Sequence, residues 1–191
     1  MKKLFLMAVM ALATVSSFAQ HRVGTVTIQP KVGLSLANVT KGDGDIRVGA
    51  VAGAEFEYQV SDIFSLSAGA LYSMQGCKGD VEGYDATVKL DYLNIPILAN
   101  VYVAKGLAVK LGIQPGFNVT SKASVEKGGT KVTTDLDGIE SVDFSIPVGL
   151  SYEINNFVID GRYNLGVSKI MDGSDSKNSV FQFTLGYKFA L

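Results

Sequence analysis

Few residues in this 191-residue chain could carry covalent or acid–base chemistry, and their spacing suits it poorly. The single histidine, His21, stands near the N-terminus, outside the patterned segments. A serine nucleophile needs a base held beside it, so His21 cannot orient a triad in the body of the chain. Glu55 and Glu57 are the one carboxylate pair that could suggest acid–base work. Their i, i+2 spacing puts both on one face of a strand. Oppositely charged residues share that parity in other segments, which reads better as an internal ion-pair network. Its members are Lys31, Arg47, Glu55, Glu57, Lys110, Glu153, Asp160, Arg162 and Lys188. We assign no catalytic residue, no cofactor and no metal site. Asp43-Gly44-Asp45 and Asp172-Gly173-Ser174-Asp175 could hold calcium loosely, but neither completes a calcium-loop signature. Cys77 is the only cysteine, which rules out an intramolecular disulfide and a thiolate metal cluster. Seventeen Lys and Arg against eighteen Asp and Glu leave a net charge of −1 with no basic face, so nucleic acid is not an expected partner.

The elements that must position these residues are strands. In Ser179–Phe189, Phe181, Phe183, Leu185, Tyr187 and Phe189 share one parity, and Gln182, Thr184, Gly186 and Lys188 the other. A period of two means an extended segment with one apolar and one polar face. The same alternation runs from Ile28, then through Arg47–Val60, Phe64–Gln75, Val88–Val103, Leu107–Val119, Val142–Ile154 and Phe157–Ser168. Leu90 and Tyr92 break the parity of the fourth segment, which predicts a bulge near Asp91–Tyr92. Eight strands result. Tight turns are expected at Ser61-Asp62, Lys105-Gly106 and Asn155-Asn156, and longer connectors between the other strands. Gly76–Ala86 reads as a polar loop, and Glu126–Gly129 as the tip of a hairpin between Ala123–Val125 and Lys131–Thr134.

A soluble barrel turns its apolar parity inward, and a membrane barrel turns it out to lipid. The polar parity decides between them, because it mixes both signs of charge with mid-strand glycines. Glycine weakens a strand and marks crowding, and in a narrow lumen it leaves room for a few long charged side chains. Aromatic residues towards the strand ends (Phe56, Tyr58, Phe64, Tyr72, Phe144, Tyr152, Phe157 and Tyr163) suit interfacial girdles. The fold class expected is all-β, an eight-stranded antiparallel up-and-down transmembrane β-barrel. On that reading arginine at Leu111 or Leu150 is costly near the midplane, while small polar changes at Gly112 do not show that depth-dependent penalty. The first nineteen residues read as an export signal: Lys2 and Lys3, an apolar run from Leu4 to Val15, and Ser17-Phe18-Ala19 as a cleavage site. Residues 20–191 are then the barrel domain.

The Ala19-Gln20 junction, the run Tyr92-Leu93-Asn94-Ile95-Pro96-Ile97, the segment Gly161-Arg162-Tyr163-Asn164-Leu165-Gly166 and the aromatic last strand resemble the small porin-family outer-membrane β-barrel proteins of bacteria, those of the eight-stranded type. The resemblance implies residence in the bacterial outer membrane among lipid and lipopolysaccharide, and insertion by the barrel assembly machinery. Chains of this class commonly end in an aromatic residue, whereas Ala190 and Leu191 follow Phe189 here. A monomer is expected, with an extracellular partner that the sequence does not name. The leading functional expectation is a barrel with a side-chain-filled lumen serving a structural, adhesion or loop-mediated binding role. A narrow porin-like channel for small solutes is the alternative. An outer-membrane lipid-modifying enzyme is a second, disfavoured one.

Overall fold

The computed structural model describes residues 22–40, 44–81, 84–127, 130–136, 138–171 and 175–191. The signal boundary after Ala19, His21, the Gly128-Gly129 tip, Asp43 and Asp172-Gly173-Ser174 lie outside them. Eleven strands follow in order: β1 (Val26–Val39), β2 (Asp45–Ser61), β3 (Phe64–Val81), β4 (Tyr84–Asn94), β5 (Ile97–Ala104), β6 (Leu107–Lys127), β7 (Thr130–Asp135), β8 (Val142–Ile154), β9 (Phe157–Gly166), β10 (Asn178–Tyr187) and β11 (Phe189–Ala190).

Each strand pairs antiparallel with its neighbours, and β1 closes the ring by pairing with both β2 and β10. Lys31 accordingly lies opposite Gly53 on one side and Gly186 on the other. Closure removes the edges and satisfies the backbone internally, the condition for a sheet in lipid. The wall has eight strands. β4 and β5 form one of them, interrupted at Ile95-Pro96, and β11 continues β10 past Lys188. The interruption has a local cause. Pro96 and the nearby Pro115 of β6 both lack an N–H, so the ladder loses bonds there while its register is kept, Asn94 opposite Gly116 and Ile97 opposite Ile113.

The expected bulge is present. Asp91 lies opposite Thr120 and Tyr92 opposite Asn118, leaving Val119 as an extra residue in β6. Leu90 and Tyr92 both turn inward and pack with Ile170. Val39, Val88 and Ile139 close around them as an apolar cap over one mouth of the barrel.

The connectors differ from expectation at one end of the molecule. Gly76–Ala86 is not a loop, because β3 runs to Val81 and β4 begins at Tyr84. Gly76, at φ +119°, lies where β3 leaves the barrel. The 21 residues of β6 likewise continue into a hairpin with β7. A tilted membrane crossing takes about 9–11 residues, so roughly half of β6 projects beyond the bilayer. The opposite end has only tight turns, such as Lys105-Gly106 and Asn155-Asn156, and by that asymmetry is the periplasmic end.

Candidate functional site

The alternation sorts side chains by solvent in the inverted sense of a membrane barrel. Val32, Leu34, Leu111, Leu150, Phe181 and Phe183 are exposed on the outer wall, while all nine charged residues picked out from the sequence are buried. Glycines face the charges across the strands and make room for them. Glu55 lies opposite Gly69, and Lys110 and Arg162 both lie opposite Gly149 from its two sides.

Eight of the nine meet in two adjoining clusters inside the lumen. In the central one, the Asp160 carboxylate reaches Lys110 Nζ at 2.9 Å, Arg162 Nη2 at 3.2 Å and Lys31 Nζ at 3.7 Å. Glu55 takes Lys31 Nζ at 2.8 Å and Arg162 Nη1 at 3.0 Å. Three cations thus share two carboxylates. Nearer the periplasmic end the ratio reverses, with Lys188 Nζ between Glu57 at 2.9 Å and Glu153 at 3.0 Å. Tyr102 donates to Glu57, and so does Ser65, at 2.7 Å. The excess cation of one cluster offsets the excess carboxylate of the other, so together they are neutral. That balance matters because a buried charge is tolerated only when paired.

Arg47 stands apart. It bonds Asp91 at 3.0 Å and the Gln75 carbonyl, beside the bulge, and Tyr72 donates to the same carboxylate at 3.1 Å. Sequence reasoning missed Asp91 and Tyr102. Tyr102 shares the parity of Asn94 and Asn100, which could have marked it as a lumen residue. Asp91 lies on the apolar parity, and only the bulge explains its burial.

Beyond the rim, β3, β4, β6 and β7 continue as a sheet. Its last strand, β7, pairs only with β6 among the described residues, and Val132, Thr133, Thr134 and Asp135 are exposed on it. The ion pairs outside the barrel are open to water, as at Lys122–Asp135, 3.7 Å, and Lys169–Asp175, 2.8 Å. The hydrogen bond to Asp175 raises the pKa of the Lys169 ammonium. Among the described residues no group of three or more His, Cys, Asp or Glu is placed to hold a metal ion.

Comparison with solved structures finds the same barrel. Ail, the attachment invasion locus protein of Yersinia pestis, solved with the heparin analogue sucrose octasulfate, is 19% identical with a TM-score of 0.51. The match covers 88% of this chain and 100% of that one. Neisserial surface protein A is 17% identical with a TM-score of 0.51, over 87% of this chain and 97% of that one. At such identities the likeness is one of fold. The search of curated proteins gave no match. The family model described as "Outer membrane protein beta-barrel domain" matches residues 18–172. With its charges inside and its apolar wall outside, the chain belongs to that family and is an integral β-barrel of the bacterial outer membrane.

Proposed function

We propose that this barrel is a stable platform that presents its extracellular sheet to a macromolecular partner, and that it is not an enzyme. The observation carrying this reading is the continuation of β3, β4, β6 and β7 past the rim, ending in the exposed strand β7. An unpaired strand edge is a ready template for another chain, and β-strand addition is a recurrent mode of peptide recognition. The described ionisable residues favour the same view: all the buried charged ones but Asp143 are committed to ion pairs, and the serines that donate to a buried carboxylate, Ser65 to Glu57 and Ser168 to Asp143, have no described histidine beside them. The likeness to Ail, a protein named for attachment and invasion, agrees with an adhesive role at the level of fold.

The nine buried charges serve to fill and rigidify the lumen. Eight strands leave an interior just wide enough for side chains, which disfavours the channel alternative. The mature protein runs from residue 20, enters the membrane through the barrel assembly machinery and acts as a monomer. Replacing residues 122–135 by a two-residue turn should abolish adhesion or partner capture by cells displaying the protein, while the barrel keeps its heat-modifiable gel mobility. Undiminished binding by that variant overturns the reading. A reproducible open-channel current in planar bilayers would favour the porin-like alternative instead.

A further inference from the structure

We propose that the outer wall of β6, β8, β9 and β10 holds one acyl chain of an anionic glycerophospholipid from the periplasmic leaflet, with its phosphate at Lys105. The wall is not uniform. Val109, Leu150, Gly161 and Phe183 form one row across the four strands, and Gly161 has no side chain to offer. A Cβ there would meet only ring atoms of Phe183, at 3.6 and 3.7 Å, whereas at Gly53 it would meet the Ala70 carbonyl at 2.1 Å. Gly161 is therefore an outward glycine with free space above it, and that space is the floor of a groove of about 600 Å³. Leu150 and Tyr152 wall one side of it. Tyr163 and Phe181, their rings 4.4 Å apart, wall the other with Phe183.

The groove has a polar end. Tyr152 also lines a second cavity of about 300 Å³, together with Lys105, Glu153, Ile154 and Asn155. Lys105 is exposed at the periplasmic turn, and the neighbouring Glu153 carboxylate is turned into the lumen towards Lys188. An apolar slot leading to a cation at the membrane edge matches one amphiphile, an acyl chain ending in an anionic headgroup. The depth agrees. From Lys105 to Val109, the last groove residue on β6, a strand advances about 13 Å, or about 9 Å of depth at a tilt of ~45°, which lies within the periplasmic half of a ~30 Å hydrocarbon core. The groove is continuous with the lipid-facing wall, so an acyl chain reaches it without leaving the bilayer. A second groove of about 480 Å³ on that wall is lined by Val32, Ala52, Leu185 and Tyr187, but its one cation, Lys31, is turned into the lumen towards Glu55, so it has no headgroup end.

The test is native mass spectrometry of the mature protein in detergent with dioleoyl phosphatidylglycerol or dioleoyl phosphatidylcholine, each variant first shown to be folded by heat-modifiable mobility. The wild type should retain one phosphatidylglycerol after the other lipids are stripped. Gly161→Leu, which fills the floor, should lower that retention about tenfold. Leu150→Trp fills the same slot from β8 and serves where Gly161→Leu fails to fold. Lys105→Ala should erase the preference for phosphatidylglycerol over phosphatidylcholine, and Ala68→Leu on the exposed face of β3 should change nothing. Equal retention in the groove variants, equal loss in Ala68→Leu, or no headgroup preference in the wild type would overturn the proposal. A dimer that dissociates in Gly161→Leu would also overturn it, by showing that the groove seats a second copy.

Discussion

The barrel wall and the sheet that projects from it meet different solvents, and one aspartate from each, Asp160 of β9 and Asp135 of β7, shows what each solvent does to a charge. Asp160, in the lumen, is buried within 3.7 Å of three cations. Asp135, on the projecting strand β7, makes one contact, to Lys122 at 3.7 Å, with 81% of its side chain exposed. The first carboxylate has lost its water and depends on its partners; the second keeps its water and hardly needs one. Identical chemistry is therefore structural inside the barrel and nearly idle above it. The border between the two regimes lies near the bulge at Asp91 and Tyr92, where the apolar cap closes the mouth. The region free to vary in its polar side chains is the projecting sheet, which is where a binding surface can change without unfolding the wall.

A matched pair of substitutions would break this comparison if it is wrong. Asp160→Asn leaves three cations around one remaining carboxylate, Glu55, and should cost about 3–5 kcal/mol. The measurement is urea unfolding in lipid vesicles followed by gel mobility, since the chain has no tryptophan to report by fluorescence. Leu150→Arg on the outer wall should cost ~2–4 kcal/mol near the bilayer midplane in the same assay. A loss below about 1 kcal/mol there would mean that this parity does not face lipid.

Gly112→Ser sharpens the contrast. The polar parity alone suggests tolerance of a small polar residue, but a Cβ at Gly112 would lie 2.0 Å from the Ile97 carbonyl. The expected cost is about 1–3 kcal/mol, from crowding rather than from depth, and Gly112→Ala should cost as much as serine. Asp135→Asn should change stability by less than ~1 kcal/mol, and that small effect should shrink further at high salt. Equal costs for Asp160→Asn and Asp135→Asn would show that the two aspartates do not differ as their burial implies.

Much of the barrel was legible because its signal is local. A period of two sets which residues share a face, and Glu55, Glu57 and Lys188 needed only their own strands to be placed inward. Closure followed from eight such strands with lipid-facing apolar sides. Asp91 was not legible as a lumen residue although the bulge beside it was, because the parity break at Leu90 and Tyr92 marks the bulge without saying which way Asp91 itself turns. Gly76–Ala86 was misread for a related reason. Polar residues and glycines beyond the bilayer look like a loop, yet a hairpin with both faces in water needs no apolar alternation to continue as strand.

What the sequence by itself determined is the pair of faces, the count of wall strands and nine of the charges sent into the lumen, since each depends on residues two apart in one segment. Only the tertiary structure decided which charges meet, where the wall is broken and where it is grooved. The registers of β6, β8 and β9 set Lys110 level with Arg162 across Gly149 and two residues off Asp160, which lies opposite Ser151, so Lys110 Nζ reaches the Asp160 carboxylate diagonally over the intervening strand. Register is a property of strands paired together, and no single strand contains it.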